Sequence, residues 1–207
     1  MNIFLIRHGQ TQGNMQGRYV GRTNEPLLQE SIKQLKNMTV PLVSYVFTSN
    51  LLRCIQTAQC IYPNVPSIAV DGLQEIDFGR YEYKNYRDLN GDKQYQRFID
   101  SGGLEPFPDE ETLRSFRVQC VQAFGSCMAE ARIKNFSAVA FVIHGGTIMA
   151  ILETFGYPKK NYYDWQVKNG SGYKASAVWQ NTGGVCQLQL HEIQAMGAPQ
   201  REDGYGG

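Results

Sequence analysis

A chain of 207 residues is long enough to bury one large core and too short for two ordinary enzyme domains, so a single domain over residues 1–196 is the expectation. With 20 Lys plus Arg against 19 Asp plus Glu, the formal charge of +1 offers no field to favour nucleic acid or a membrane surface, and any recognition of an anion must be local. The five cysteines (Cys54, Cys60, Cys120, Cys127, Cys186) fit no zinc spacing and no C-x-x-C pair and read as reduced core thiols, while the absence of a signal-like segment or of roughly 18 consecutive apolar residues points to a cytoplasmic protein.

Residues 3–6 form a continuous apolar run that stops at Arg7, as expected of a buried strand ending at a functional edge. Residues 31–38 suit a first helix. A second run, 43–47, ends at Thr48, Ser49 and Asn50 and leads into a helix over 51–58 with an N-cap signal before it. Residues 79–108, rich in Tyr, Arg, Asp and Gly, read as an excursion over the active edge. A long amphipathic helix follows over 110–131, interrupted only by Gly125. A third run, 138–143, ends at His144, Gly145, Gly146 and Thr147 and enters a helix over 148–155, stopped by Gly156 and Pro158. Residues 176–180 and 185–191 form a hairpin around 181–184, and 197–207 read as a flexible tail. Alternating strands and helices imply an α/β fold, a three-layer α/β/α sandwich about a mostly parallel sheet, with ligands bound outside the carboxyl ends of the strands.

That edge collects Arg7, His8, His144 and, in the first turns of a helix, Arg53. Such a cluster repels itself unless an anion sits within it, and phosphate is the anion that guanidinium groups fit best. The helix N-termini after Ser49 and His144 would add backbone N–H donors. The segment Arg7-His8-Gly9-Gln10-Thr11 with Asn14 resembles the signature of the histidine phosphatase superfamily, which includes the cofactor-dependent phosphoglycerate mutases. Residues 48–58, 73–79 and 142–146 resemble its later blocks, in the same order.

The resemblance implies a phosphoglycerate mutase-like fold in which His8 attacks phosphorus, Arg7, Arg53 and His144 hold the equatorial oxygens and Glu75 is the proton donor; because Asp77 and Glu82 lie close to Glu75 in the chain, Glu82 is kept as the alternative acid. It also implies that Gln10, Thr11, Asn14, Gly21, Glu82 and the Gly145 backbone line the substrate pocket. No metal and no cofactor are implied, and the partner is a small-molecule phosphate ester. A neutral imidazole is a good nucleophile near neutral pH, and a phosphohistidine divides one hard displacement into two easier ones. Glu75 must be protonated when the leaving oxygen departs; burial would raise its pKa and the nearby arginines would lower it.

Residues 18–27 and 75–82 are most similar to the alpha-ribazole phosphatase branch of cobalamin biosynthesis. The 108–112 segment with Arg117 is similar to the Pro-Gly-Gly-Glu-Ser block and later Arg of the family, which would place Glu111 and Thr112 at the pocket. Three departures stand out: Tyr83 and Ser31 where the family has glycine, and Asp109-Glu110 in place of Gly-Gly, where two inward carboxylates would disfavour a bisphosphate. The rivals are a phosphoglycerate mutase and a non-catalytic phospho-ligand module. His191 lacks a motif, Tyr19, Tyr81, Tyr83 and Tyr86 are expected to cover core, and Cys54 and Cys60 to pack within their helix. No apolar stripe stands out as surplus to the core, so oligomeric state is left open.

Overall fold

Period-two alternation along the central strands decides which helix covers which face. In β1 (Asn2–Arg7), Ile3 and Leu5 point one way and Phe4 and Ile6 the other; β4 (Ala138–Ile143), buried throughout, sends Val139, Phe141 and Ile143 to the first face and Ala138, Ala140 and Val142 to the second. The first set packs against Phe124 and Met128 of α5 (Glu110–Ile133) and Ile148, Ile151 and Leu152 of α6 (Gly145–Phe155). The second packs against Leu35 of α2 (Gln29–Lys36) and Cys54, Ala58 and Ile61 of α3 (Leu52–Ile61). Helices on both faces of a mixed sheet make the expected three layers. The computed structural model describes residues 1–101, 105–183 and 185–197.

The sheet has the order β3-β2-β4-β1-β5-β6, with β2 (Tyr45–Ser49), β3 (Ser67–Val70), β5 (Gly172–Thr182) and β6 (Val185–Met196) completing it. The four strands from β3 to β1 are parallel, β5 pairs antiparallel with β1, and β6 pairs antiparallel with β5. Because β1, β4 and β2 are neighbours and parallel, His8, His144 and the start of α3 emerge side by side at one edge, as the sequence pattern requires.

Element ends differ from expectation where the sequence carries mixed signals. α6 starts at Gly145, three residues early, because His144 is its N-cap and two low-propensity glycines hide the first turn. The hairpin strands are longer at both outer ends, since β5 and β6 alternate weakly through polar residues and are bulged between Lys174 and Ser176. Edge strand β3, mostly exposed, and the four-residue helix α1 (Gln12–Met15) had no periodic apolar signal to reveal them, while the amphipathic pattern of α4 (Lys93–Asp100) is short and set within the polar excursion. Cys186 is exposed and Cys60 half-buried, so only Cys54, Cys120 and Cys127 are the expected core thiols. Residues 198–207, the greater part of the expected tail, lie outside the described residues. Among the described residues no helix is long and apolar enough to cross a membrane.

Candidate active site

His8 follows β1 directly and is almost wholly buried. Its Nδ1 lies 2.7 Å from the Gly9 carbonyl oxygen. A carbonyl only accepts, so Nδ1 carries the proton and Nε2 keeps its lone pair. Consistently, Arg53 Nε–H donates to His8 Nε2 at 3.2 Å. Burial first, then Arg53 and Arg7, hold the His8 pKa well below the ordinary imidazole value, so the ring is neutral at neutral pH.

Arg53 has no exposed surface. Its guanidinium also donates to the carbonyls of Thr23 at 2.8 Å, Gly21 at 2.8 Å and Val20 at 3.4 Å. The loop carrying those carbonyls is anchored from below, where Glu82 Oε1 accepts from Gly21 N and Thr23 N, each at 2.9 Å. A side chain at Gly21 would meet the Ile76 carbonyl oxygen at 2.0 Å, so only glycine fits there. Gly21 and Glu82 therefore shape the Arg53 cradle, and Glu82 has one oxygen buried without a hydrogen-bond partner.

His144 is fully buried, edge-on to His8 with ring centroids 5.2 Å apart. Burial, Arg53, His8 and Arg7 lower its pKa as well. Cys54 Sγ lies 3.5 Å from His144 Nε2, which places that thiol beside the site rather than merely within its helix. Arg7 Nη1 donates to the Val167 carbonyl at 2.7 Å, and its guanidinium lies flat on Gly145, where a Cβ would stand 3.4 Å from Nε. The cation thus reinforces the partial positive charge at the N-terminus of α6.

Glu75 completes the cluster. Its Oε2 accepts from Gly146 N at 2.9 Å and its Oε1 from Ile76 N at 3.0 Å. Burial raises its pKa against the opposing pull of both N–H groups, Arg7 and Arg53, so desolvation decides the contest left open by the sequence.

Other expected contacts sit differently. Gln10 has an exposed side chain, and its backbone N–H donates to Ser31 Oγ at 2.8 Å, a bond that the family glycine at position 31 could not accept. Thr11 caps α1, accepting from Asn14 N, while Asn14 Oδ1 accepts from Thr11 N and from Asn169 Nδ2 at 3.0 Å. Asn169, which also donates to the His8 carbonyl at 3.2 Å, was missed because it lies in a turn without periodicity. Thr57 was missed too: its hydroxyl accepts from Gly9 N and donates to the Arg53 carbonyl, joining the two halves of the site. Tyr83 keeps the backbone shape of the glycine it replaces, at φ 63°, held by its hydroxyl to Glu25 and by Arg18 over its ring. His191 packs its ring at a tilt against Tyr157, away from the centre. Asp109 is exposed and caps α5 through Thr112 N, so it does not screen the entrance as an inward carboxylate would; the side chains of Glu110 and Glu111 lie outside the described residues.

Beside Arg7, Glu75 and Gly145 a cavity of about 250 Å³ opens between aromatic walls. Tyr19 and Phe78 meet Phe98 and Phe107 of the 79–108 excursion there, with Met149 and Tyr163 opposite. Tyr19 therefore lines the cavity, whereas Tyr81 is packed in the aromatic cluster behind it and Tyr86 is exposed. Arg7 is the only cation among the lining residues. Among the described residues no group of three or more His, Cys, Asp or Glu could hold a metal ion.

The family model of the histidine phosphatase superfamily (branch 1) matches residues 3–188, which takes in all of these groups. The chain belongs to the histidine phosphatase superfamily. It is a phosphatase, and enzymes of this family act on small phosphate esters. Among curated relatives of this histidine phosphatase, the adenosylcobalamin/alpha-ribazole phosphatase of Escherichia coli (strain K12) is 28% identical over 179 residues, covering 82% of this chain and 87% of the relative. The probable phosphoglycerate mutase GpmB of Proteus mirabilis (strain HI4320) is 25% identical over 162 residues, 74% of each chain. In fold the chain is similar to the alpha-ribazole phosphatase from Shigella flexneri, with a TM-score of 0.71 at 23% identity over 97% of this chain and 100% of that one.

Proposed function

We propose that this histidine phosphatase hydrolyses phosphomonoesters through a phosphohistidine on His8, and that its substrate is alpha-ribazole 5′-phosphate, placing it in cobalamin biosynthesis in the cytoplasm. The carrying observation is the fixed tautomer of His8, whose Nε2 lone pair is held in the cationic cluster, beside which burial raises the pKa of the Glu75 carboxyl.

In the first step the Nε2 lone pair forms the P–N bond as the ester P–O bond breaks, and Glu75 delivers its proton to the departing oxygen. In the second, Glu75 takes a proton from water, whose oxygen attacks phosphorus as the P–N bond breaks. Arg7, Arg53, the Gly145 N–H and a His144 that gains a proton when the dianion arrives stabilise the charge on the transferring oxygens. Asn14 keeps its amide NH2 for the same oxygens, its carbonyl being already engaged. Glu82, tied to the Gly21 loop, supports Arg53 instead of serving as the acid.

The aromatic cavity supports the choice of ester. A volume of about 250 Å³ is at the small end for a ligand site, and apolar aromatic walls accept an aromatic leaving group but desolvate an anionic one. A mutase must retain and reorient a bisphosphate, which calls for a second cationic contact. The name of the Escherichia coli relative points the same way. Rapid quenching with labelled alpha-ribazole 5′-phosphate is expected to trap acid-labile, base-stable phosphate on the protein, and His8→Ala to abolish both label and turnover. Turnover that survives His8→Ala overturns the mechanism. Efficient interconversion of phosphoglycerates in the presence of 2,3-bisphosphoglycerate, without net phosphate release, would overturn the assignment of substrate.

A further inference from the structure

Gly146 is held at both of its peptide groups. Its N–H donates to Glu75 Oε2, and its carbonyl accepts from Tyr162 Oη at 3.3 Å. The three groups converge so closely that a Cβ on Gly146 would lie 2.2 Å from Glu75 Oε1 and 3.1 Å from Tyr162 Oη. Tyr162 is itself pinned. It sits in the short 3-10 turn Tyr162–Trp165, closed by a reciprocal capping box between Asn161 and Asp164, and is 6% exposed. The guanidinium of Arg117, from α5, covers the ring with its carbon 4.4 Å from the centroid, and Glu153 of α6 holds that cation at 3.4 Å.

We infer that Tyr162, clamped by Arg117, is a positioning residue that acts through Gly146 to aim the carboxyl of Glu75 at the leaving oxygen. A carboxylic acid donates along one direction only, so its value as an acid depends on the orientation of the O–H. The Gly146 and Ile76 N–H groups occupy one lone pair on each oxygen and thereby select the direction left for the proton. Loss of the Tyr162 hydroxyl frees the first turn of α6 to rotate, and the carboxyl turns with it. This inference rests on the reading of Glu75 as proton donor.

The test compares kcat/KM for phenyl phosphate, whose leaving oxygen needs a proton, with that for p-nitrophenyl phosphate, whose leaving oxygen departs nearly unaided. Packing damage lowers both and cancels in their ratio. Tyr162→Phe is expected to lower the phenyl to p-nitrophenyl ratio about tenfold, a part of the 10²–10⁴ that general acid catalysis supplies, and Arg117→Met to lower it in the same direction. Should Tyr162→Phe fail to fold, Arg117→Met carries the test alone. Glu75→Gln is the reference. If it leaves the ratio unchanged, the donor assignment falls and this inference with it; if it lowers the ratio while the Tyr162 and Arg117 variants do not, this inference alone is overturned.

Discussion

Adding a single methyl at Gly146 puts the geometry of the proton donor to direct trial. The Cβ introduced by Gly146→Ala would stand 2.2 Å from Glu75 Oε1, where ordinary contact begins at 3.4 Å, so the carboxyl must retreat by about 1.2 Å. Nothing flexible can give way in its place, because Oε1 and Oε2 are held by backbone N–H groups and the neighbouring Tyr162 hydroxyl is itself bonded. Misplacement of a catalytic group by about 1 Å costs on the order of 100-fold in rate, and that is the loss expected in kcat/KM for phenyl phosphate. Stability moves much less. A better helix former in α6 returns up to about 1 kcal/mol, while a buried group left without its partner costs about 1–3 kcal/mol. The melting temperature should fall by only a few degrees in a chain of this size, at about 2–4 °C per kcal/mol. Steady-state kinetics beside a thermal melt separate the two effects. An unchanged kcat/KM would refute the claim that Glu75 acts from the place it occupies, and a collapse of the melt would show that the methyl had broken the helix rather than moved the acid.

Arg53→Met keeps the unbranched apolar stem and removes every donor, orphaning the carbonyls of Gly21 and Thr23; urea denaturation should register a loss of about 2–6 kcal/mol, about 1–3 for each carbonyl, along with loss of turnover, and Arg53→Lys, lacking the fork, should restore little of either. The depressed pKa values of His8 and His144 mean that their contribution to stability is complete above about pH 6.5 and is lost as the pH falls toward the folded values, at about 1.4 kcal/mol per pH unit for each imidazole. Melting curves below that pH should therefore shift downward, His144→Asn should shallow the slope, and inorganic phosphate should offset it by pairing with the imidazolium. Glu75 carries the opposite sign: its raised pKa gives a contribution present at low pH and lost as the pH rises above the ordinary carboxyl value, so Glu75→Gln should remove that loss from the same profile. In the core, Phe141→Ala empties the space between Phe47 and Phe124, whose ring centroids lie 5.1 and 4.8 Å away, and calorimetry should find it less stable by about 3–5 kcal/mol.

Three strand-loop-helix units and the cluster at their common edge could be read from the chain because the information is local. An apolar run that ends in a charge, followed by a cap, is written in consecutive residues, and three of the four family blocks lie along the same units. Strand β3 escaped because an exposed edge carries no apolar pattern, and α4 because its polar, amphipathic surface resembles that of the excursion around it. The 79–108 segment showed its place in the sequence but not its work: only packing brings Phe98 and Phe107 opposite Tyr163 to make a cavity.

By itself the sequence determined the α/β layering and the meeting of His8, at the end of β1, with the cations that join it, since parallel neighbouring strands must deliver their carboxyl ends to one edge. Tertiary structure alone decided what those groups can do. Burial keeps both imidazoles neutral and raises the pKa of Glu75, the Gly9 carbonyl selects the tautomer of His8, and Glu82 is drawn away to support Arg53. Each of these depends on the distance between residues far apart in the chain, and electrostatic energy follows that distance and the surrounding dielectric, neither of which is encoded in the spacing of letters.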